Sequence, residues 1–233
     1  MTRETVVRDP LMAADHFESF INYSWDEIER HRGPATESTV FPRIVSAMYS
    51  VGCPVGELRP VFKQWVAAAA QVREPVPRDL VFPLSFGLLL GVDDKDLELL
   101  QVVVDRDTRH HAFSSFLADS LGLSHAPVAG DGTLWRFFPK VREIEDPTGK
   151  AEYLGWWLKR WWYTVNKAET WWGSHARHGG AQYYSYWAWE VAGTVRAYGL
   201  DDTLCCASQY YPKDLARFLV QGSGGNVAIS PFH

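Results

Sequence analysis

The sequence predicts an all-α protein of about ten helices in antiparallel pairs, with two helical subdomains packed together. Three observations carry this. Apolar residues recur at helical spacing along most of the chain, whereas strand-like alternation is scarce and residues 134–141 are the one ambiguous stretch. Pro10, Pro42, Pro54, Pro77 and Pro212 fall near predicted helix starts, where a missing N–H costs little. The chain has 233 residues, 46% of them hydrophobic and 22% charged, enough for a sizeable core without staples.

Each element can be justified in turn. Phe17, Phe20, Ile21, Trp25 and Ile28 form the first apolar stripe. Leu58, Val61, Phe62, Trp65, Val66, Ala69 and Val72 form a cleaner one after Pro54. Leu154, Trp157, Leu158, Trp161, Trp162 and Val165 repeat that spacing. Tyr183, Trp187, Glu190, Val191, Thr194 and Tyr198 lie along one face of a helix that is apolar nearly all round, which predicts a central, buried element. Glu190 on that surface needs donors, from a Tyr hydroxyl, a Trp N–H or His175, and reads as a structural hydrogen-bond hub.

Residues 88–94 and 196–202 echo each other as an apolar helix end followed by Gly-Val-Asp-Asp or Gly-Leu-Asp-Asp. Each predicts a helix stop, with glycine in the left-handed position and aspartate capping the next helix. The echo reflects either duplicated halves or one corner used twice.

Charge and aromatics divide unevenly. Residues 1–125 carry 18 acids against 12 bases, a net of −6, and residues 126–233 carry 10 against 11. Nine of the eleven tryptophans lie between Trp135 and Trp189. The small, turn-rich segment 125–133 is the candidate linker. It separates an acidic N-terminal helical domain, 1–125, from a Trp/Tyr-rich C-terminal domain, 126–233. A formal net charge of −5 argues against direct nucleic-acid binding, which needs a basic surface. No signal-peptide pattern or membrane-spanning stretch is read, and three cysteines without zinc spacing fit free thiols in the cytoplasm.

Several clusters invite chemistry. Asp93, Asp94, Asp96 and Glu98 would suit a metal-assisted hydrolase or diphosphate enzyme. The residue one turn after Asp93 is Leu97, however, so capping and a solvated acidic face are the better reading. Residues 105–111 mix acids, bases and histidines on what reads as a polar helix surface. His175 and His178 have i, i+3 spacing but lack a third ligand and precede Gly179-Gly180. The glycine run at 222–225 lacks a lysine and a following helix, and the role of the tail 222–233 is open. No catalytic set, metal site or cofactor is expected.

Trp172-Gly-Ser-His175, the run of Tyr184, Tyr186, Trp187 and Glu190, then Asp201-Asp202, then Tyr210-Tyr211-Pro212 with Asp214 resemble the C-terminal domain of the PoNi family of immunity proteins. Residues 41–52 and the helix after them are similar to that family's N-terminal helical domain. Ser185 stands where glycine is expected, and Cys205-Cys206 interrupts the stretch before Tyr210. The resemblance implies a cytoplasmic antidote that binds a cognate polymorphic toxin, typically a DNase delivered by type VI secretion, and catalyses nothing. A nuclease must present a basic surface to DNA, so an acidic partner gains association rate by steering. On charge alone, Asp93, Asp94, Asp96, Glu98, Asp105 and Asp107 are the expected toxin contacts. Dimerisation is compatible with the sequence.

Overall fold

The structure, a computed structural model, describes residues 6–72, 77–107, 111–128, 130 and 135–218. Their regular secondary structure is helical, and no strand occurs among the described residues. The first six are α1 (Ala14–Arg30), α2 (Pro34–Val51), α3 (Val55–Ala69), α4 (Pro77–Leu90), α5 (Asp94–Arg106) and α6 (Ala112–Ser120). After the segment around residue 130 come α7 (Phe138–Glu143) and α8 (Pro147–Trp157), the latter running through a π turn (Leu158–Trp162) into α9 (Tyr163–Val165). α10 (Trp189–Tyr198) and α11 (Lys213–Ala216) complete the order. Residues 134–141 resolve toward helix, since α7 begins at Phe138; Leu134 lies outside the described residues.

Short connections set the layout. Three residues join α1 to α2 and three join α2 to α3, so each chain reversal lays neighbouring helices side by side. The predicted stripes account for the burial there: Phe17, Leu58, Phe62 and Val66 are fully enclosed. α4 packs on α3, α6 and α10, which ties the C-terminal helix into one continuous core with the N-terminal ones.

The echoed corners are the same device. Gly91 and Gly199 adopt φ of 69° and 63°, a region penalised for any residue with a Cβ. Val92 turns back to pack on Gly87, and the Leu200 N–H returns to Val195 O. Asp93 then caps α5 with a full capping box, whereas Asp201 caps a turn by accepting from the Thr203 N–H and hydroxyl.

Three expectations need correction. Pro42 lies inside α2, which starts eight residues earlier at Pro34. Pro42 removes the N–H that would reach the Ser38 carbonyl, and one turn before it the hydroxyls of Ser38 and Thr39 turn back to the carbonyls of Ala35 and Thr36. The aromatic helix begins at Trp189 and not near Tyr183. Residues 183–188 stay out of the helix, with tertiary partners satisfying their backbone: Tyr183 O meets His16 Nε2 at 2.7 Å, and the Ala188 N–H donates to Tyr210 O at 2.8 Å. Finally, Trp161 and Val165 are 45% and 38% exposed, although their spacing with Leu154 and Leu158 predicts a buried stripe. The π turn adds a residue to one helical loop and rotates them outward. Residues 131–133 of the linker candidate and the whole 222–233 tail lie outside the described residues.

Candidate functional site

The acidic helix α5 separates its carboxylates into two groups. Asp93 accepts the Asp96 N–H at 3.0 Å, while the Asp93 N–H is 3.3 Å from Asp96 Oδ2. Lys63 of α3 reaches both carboxylates, at 2.5 and 3.4 Å. The Lys63 hydrogen bond, and then the backbone one, pull the Asp93 carboxyl down to about 2. An ammonium therefore stands against the pair that a metal would use, and no cluster of three or more potential ligands occurs among the described residues. Asp96 is 3% exposed and Asp107, at the helix end, 6%. Both face inward.

Asp94, Glu98 and Asp105 face solvent. With Gln101 they stand at i, i+4, i+7 and i+11, within an arc of about 60° on one helical face. Gln101 stiffens this stripe. Its amide donates to Asp105 Oδ1 at 2.7 Å and to Ser124 O at 2.9 Å, and its oxygen accepts the Ser124 N–H at 2.9 Å. Arg106 ties the end of the helix to the carbonyls of Ala70 and Val72. Of the mixed cluster at 105–111, residues 108–110 lie outside the described residues.

The C-terminal motif residues form a polar seam within an aromatic core. The Tyr186 hydroxyl meets His175 Nδ1 at 2.9 Å and accepts the His175 N–H at 3.2 Å. His175 is thereby committed, and the side chain of His178 lies outside the described residues. Trp162 donates its indole N–H to Glu190 Oε1 at 2.5 Å, so of the donors expected for this buried carboxylate, a tryptophan supplies this bond. Trp187 donates to Ser50 Oγ at 2.8 Å, and Tyr184 O faces the same hydroxyl. Trp172 packs at a tilt against Tyr163, and Tyr163 stacks on Tyr210 with rings 6° from parallel. Asp202 forms a bidentate pair with Arg217. Tyr211 is buried, with its hydroxyl unbonded among the described residues. Pro212 opens α11.

The N-terminal segment clips onto this seam, which sequence patterns did not reveal. Asp9, 3% exposed, accepts the Tyr183 hydroxyl at 2.5 Å. Burial pushes its carboxyl up, against the opposing pull of that bond. Arg8 donates to Asp214 at 2.6 Å and to the carbonyls of Tyr49 and Cys53, with its guanidinium 4.6 Å from the Tyr49 ring centre. These pairs span up to 206 residues, so no local spacing encodes them.

Between α2 and the C-terminal seam lies an open cleft of about 450 Å³. Trp135, Trp171, Tyr186 and Trp189 line it together with Thr39 and Arg43 of α2.

Fold and site together describe a helical protein with a rigid aromatic C-terminal half and a stiffened acidic helix. Residues 133–215 match the family model of PoNe immunity proteins (PoNi), C-terminal. The motif residues whose resemblance to the PoNi C-terminal domain was noted all lie within this matched stretch. No curated protein and no solved structure matches the chain.

Proposed function

We propose that this chain is an immunity protein that neutralises a cognate secreted antibacterial toxin by tight binding and catalyses nothing itself. The toxin is a nuclease of the PoNe type, and a DNase effector of type VI secretion is the particular form favoured. The match to PoNe immunity proteins over 133–215 carries the reading. Two further observations support it. The acidic half and the solvent-facing Asp94, Glu98 and Asp105 complement the basic surface a nuclease needs for DNA. Asp93 and Asp96 are engaged by the α5 capping box and Lys63, and Asp96 and Asp107 are buried, so they are the weaker candidates for contact. No helix among the described residues is long and apolar enough to cross a membrane, which is compatible with the cytoplasmic site of action such an antidote requires.

The test is co-purification with a PoNe-type nuclease toxin and a nuclease assay on the complex. The toxin alone should degrade DNA, and the complex should not. Replacing Asp94, Glu98 and Asp105 with lysine should slow association by about tenfold or more at low salt and by less at high salt. A toxin that stays fully active in the presence of excess immunity protein would refute the reading.

A further inference from the structure

Tryptophans pair at a spacing of five in Trp156-Trp157-Leu158-Lys159-Arg160-Trp161-Trp162. In a regular α-helix, residues five apart point about 140° from each other. Here the π turn spans Leu158–Trp162, and its i→i+5 pattern sets such residues on one side. Trp157 and Trp162 both turn inward, 9% and 4% exposed. Trp156 and Trp161 both turn outward, 48% and 45% exposed, with ring centres 6.2 Å apart. The π turn thus makes a solvent-facing tryptophan pair that an α-helix of the same sequence would split.

The pair belongs to a larger surface. Val165, also exposed, continues the stripe beyond Trp161 and lines the aromatic cleft. Leu204, 52% exposed, sits against α8, where a Cβ on Gly155 would stand 2.7 Å from Leu204 Cβ. Lys159, Arg160 and Lys167 are exposed along the same segment, against one exposed acid, Glu152. No ion pair joins Lys159 or Arg160 to another described residue. An apolar centre with tryptophan anchors and a basic rim has the composition of a protein-binding hot spot.

We infer that the Trp156–Trp161 stripe, running into the cleft at Val165, is a second contact surface that seats an acidic, apolar-bearing segment of the toxin. This rests on the reading of the chain as a toxin-binding protein. The basic rim selects carboxylates on the segment, and the two indoles supply the buried area that sets its dissociation rate. The surface differs in sign from the α5 stripe, so the two faces together would clamp a toxin whose charge is unevenly distributed.

Titration of the catalytically inactivated PoNe-type toxin that co-purifies with the chain tests this, with the wild-type chain, Trp156→Ala, Trp161→Ala and the double reversal Lys159→Glu/Arg160→Glu. All positions are exposed, and circular dichroism checks that each variant keeps its fold. Each tryptophan variant should weaken binding by about tenfold or more, mainly through faster dissociation. The charge reversal should weaken it most at low salt. Wild-type binding with unchanged affinity in all three variants overturns this inference alone. Absence of wild-type binding overturns the functional reading and this inference with it. Concentration-dependent dimerisation lost in Trp161→Ala, with toxin affinity unchanged, assigns the stripe to a second copy and also overturns the inference.

Discussion

Gly193 of α10 lies against Ser85 of α4 so closely that a Cβ on the glycine would stand 2.8 Å from Ser85 Oγ and 3.1 Å from its Cα. The two helices meet backbone to backbone at this point, with Ser85 and Thr194 fully enclosed. This approach joins the PoNi C-terminal region to the N-terminal helices. Gly193→Ala gains about 1 kcal/mol of helix propensity but forces α4 and α10 apart, and such overpacking costs about 1–3 kcal/mol. The net result should be loss of stability, read as a lower urea midpoint. Ser85→Gly in the same chain should restore most of it, because the nearest atoms are then gone.

Glu190 and Trp162 give a second expectation. Glu190→Ala leaves the Trp162 indole N–H without this acceptor in the core, at a cost of about 1–3 kcal/mol. Glu190→Gln retains an oxygen acceptor and should cost less. Denaturant unfolding measures both, and equal losses would remove the hydrogen bond as the cause.

Arg8 holds the N-terminal segment to α11 through Asp214 and to the end of α2 through two carbonyls. Arg8→Ala should destabilise by about 2 kcal/mol, since hydrogen bonds to a charged donor are the stronger kind. Asp214→Ala should cost less alone. The double variant should fall short of the sum, because both changes break the same ion pair.

Two aspartates shape the acid response in opposite directions. The folded-state value of Asp93 is depressed to about 2 by Lys63, so its contribution is present above its unfolded value near 3.8 and is lost as pH falls from there toward 2. Asp93→Asn should flatten stability against pH across that interval. Asp9 is raised by burial, so its contribution is fullest below the unfolded value and declines as pH climbs through the folded one. Asp9→Asn should flatten the curve above about pH 4. Thermal melts in a pH series distinguish the two.

The cysteines should be slow to react. Burial, then nearby Asp202, push the Cys205 and Cys206 thiols up to about 12 and about 11, and burial raises Cys53 as well. The thiolate is the reactive form, so alkylation of the native chain at pH 7.5 should lag far behind that of the urea-unfolded chain at all three sites. Mass spectrometry of labelled peptides resolves the order.

Much of the architecture was legible in residue order because it is local. Helical spacing buried the predicted residues from Leu58 to Ala69, with Val72 beyond the helix end and half-buried, and the two Gly-Val/Leu-Asp corners formed where glycine could take a positive φ. Asp93 read as a cap and is one. Charge alone could not separate Asp94, Glu98 and Asp105 from the inward-facing Asp96 and Asp107, because the placement of Lys63 and the path of the chain after Arg106 are not local properties.

Residue order by itself therefore determined the helical class, the corners between helices and the immunity-family motif, each written in neighbouring residues. Tertiary structure decided the rest. It held residues 183–188 out of the helix through partners on α1, on α2 and at Tyr210, while Pro42 inside α2 and the π turn that rotates Trp156 and Trp161 outward are departures that apolar spacing alone did not predict. For residues 183–188 the physical reason is that a backbone group takes the partner that the assembled core offers, and when that partner lies far along the chain no local pattern records it.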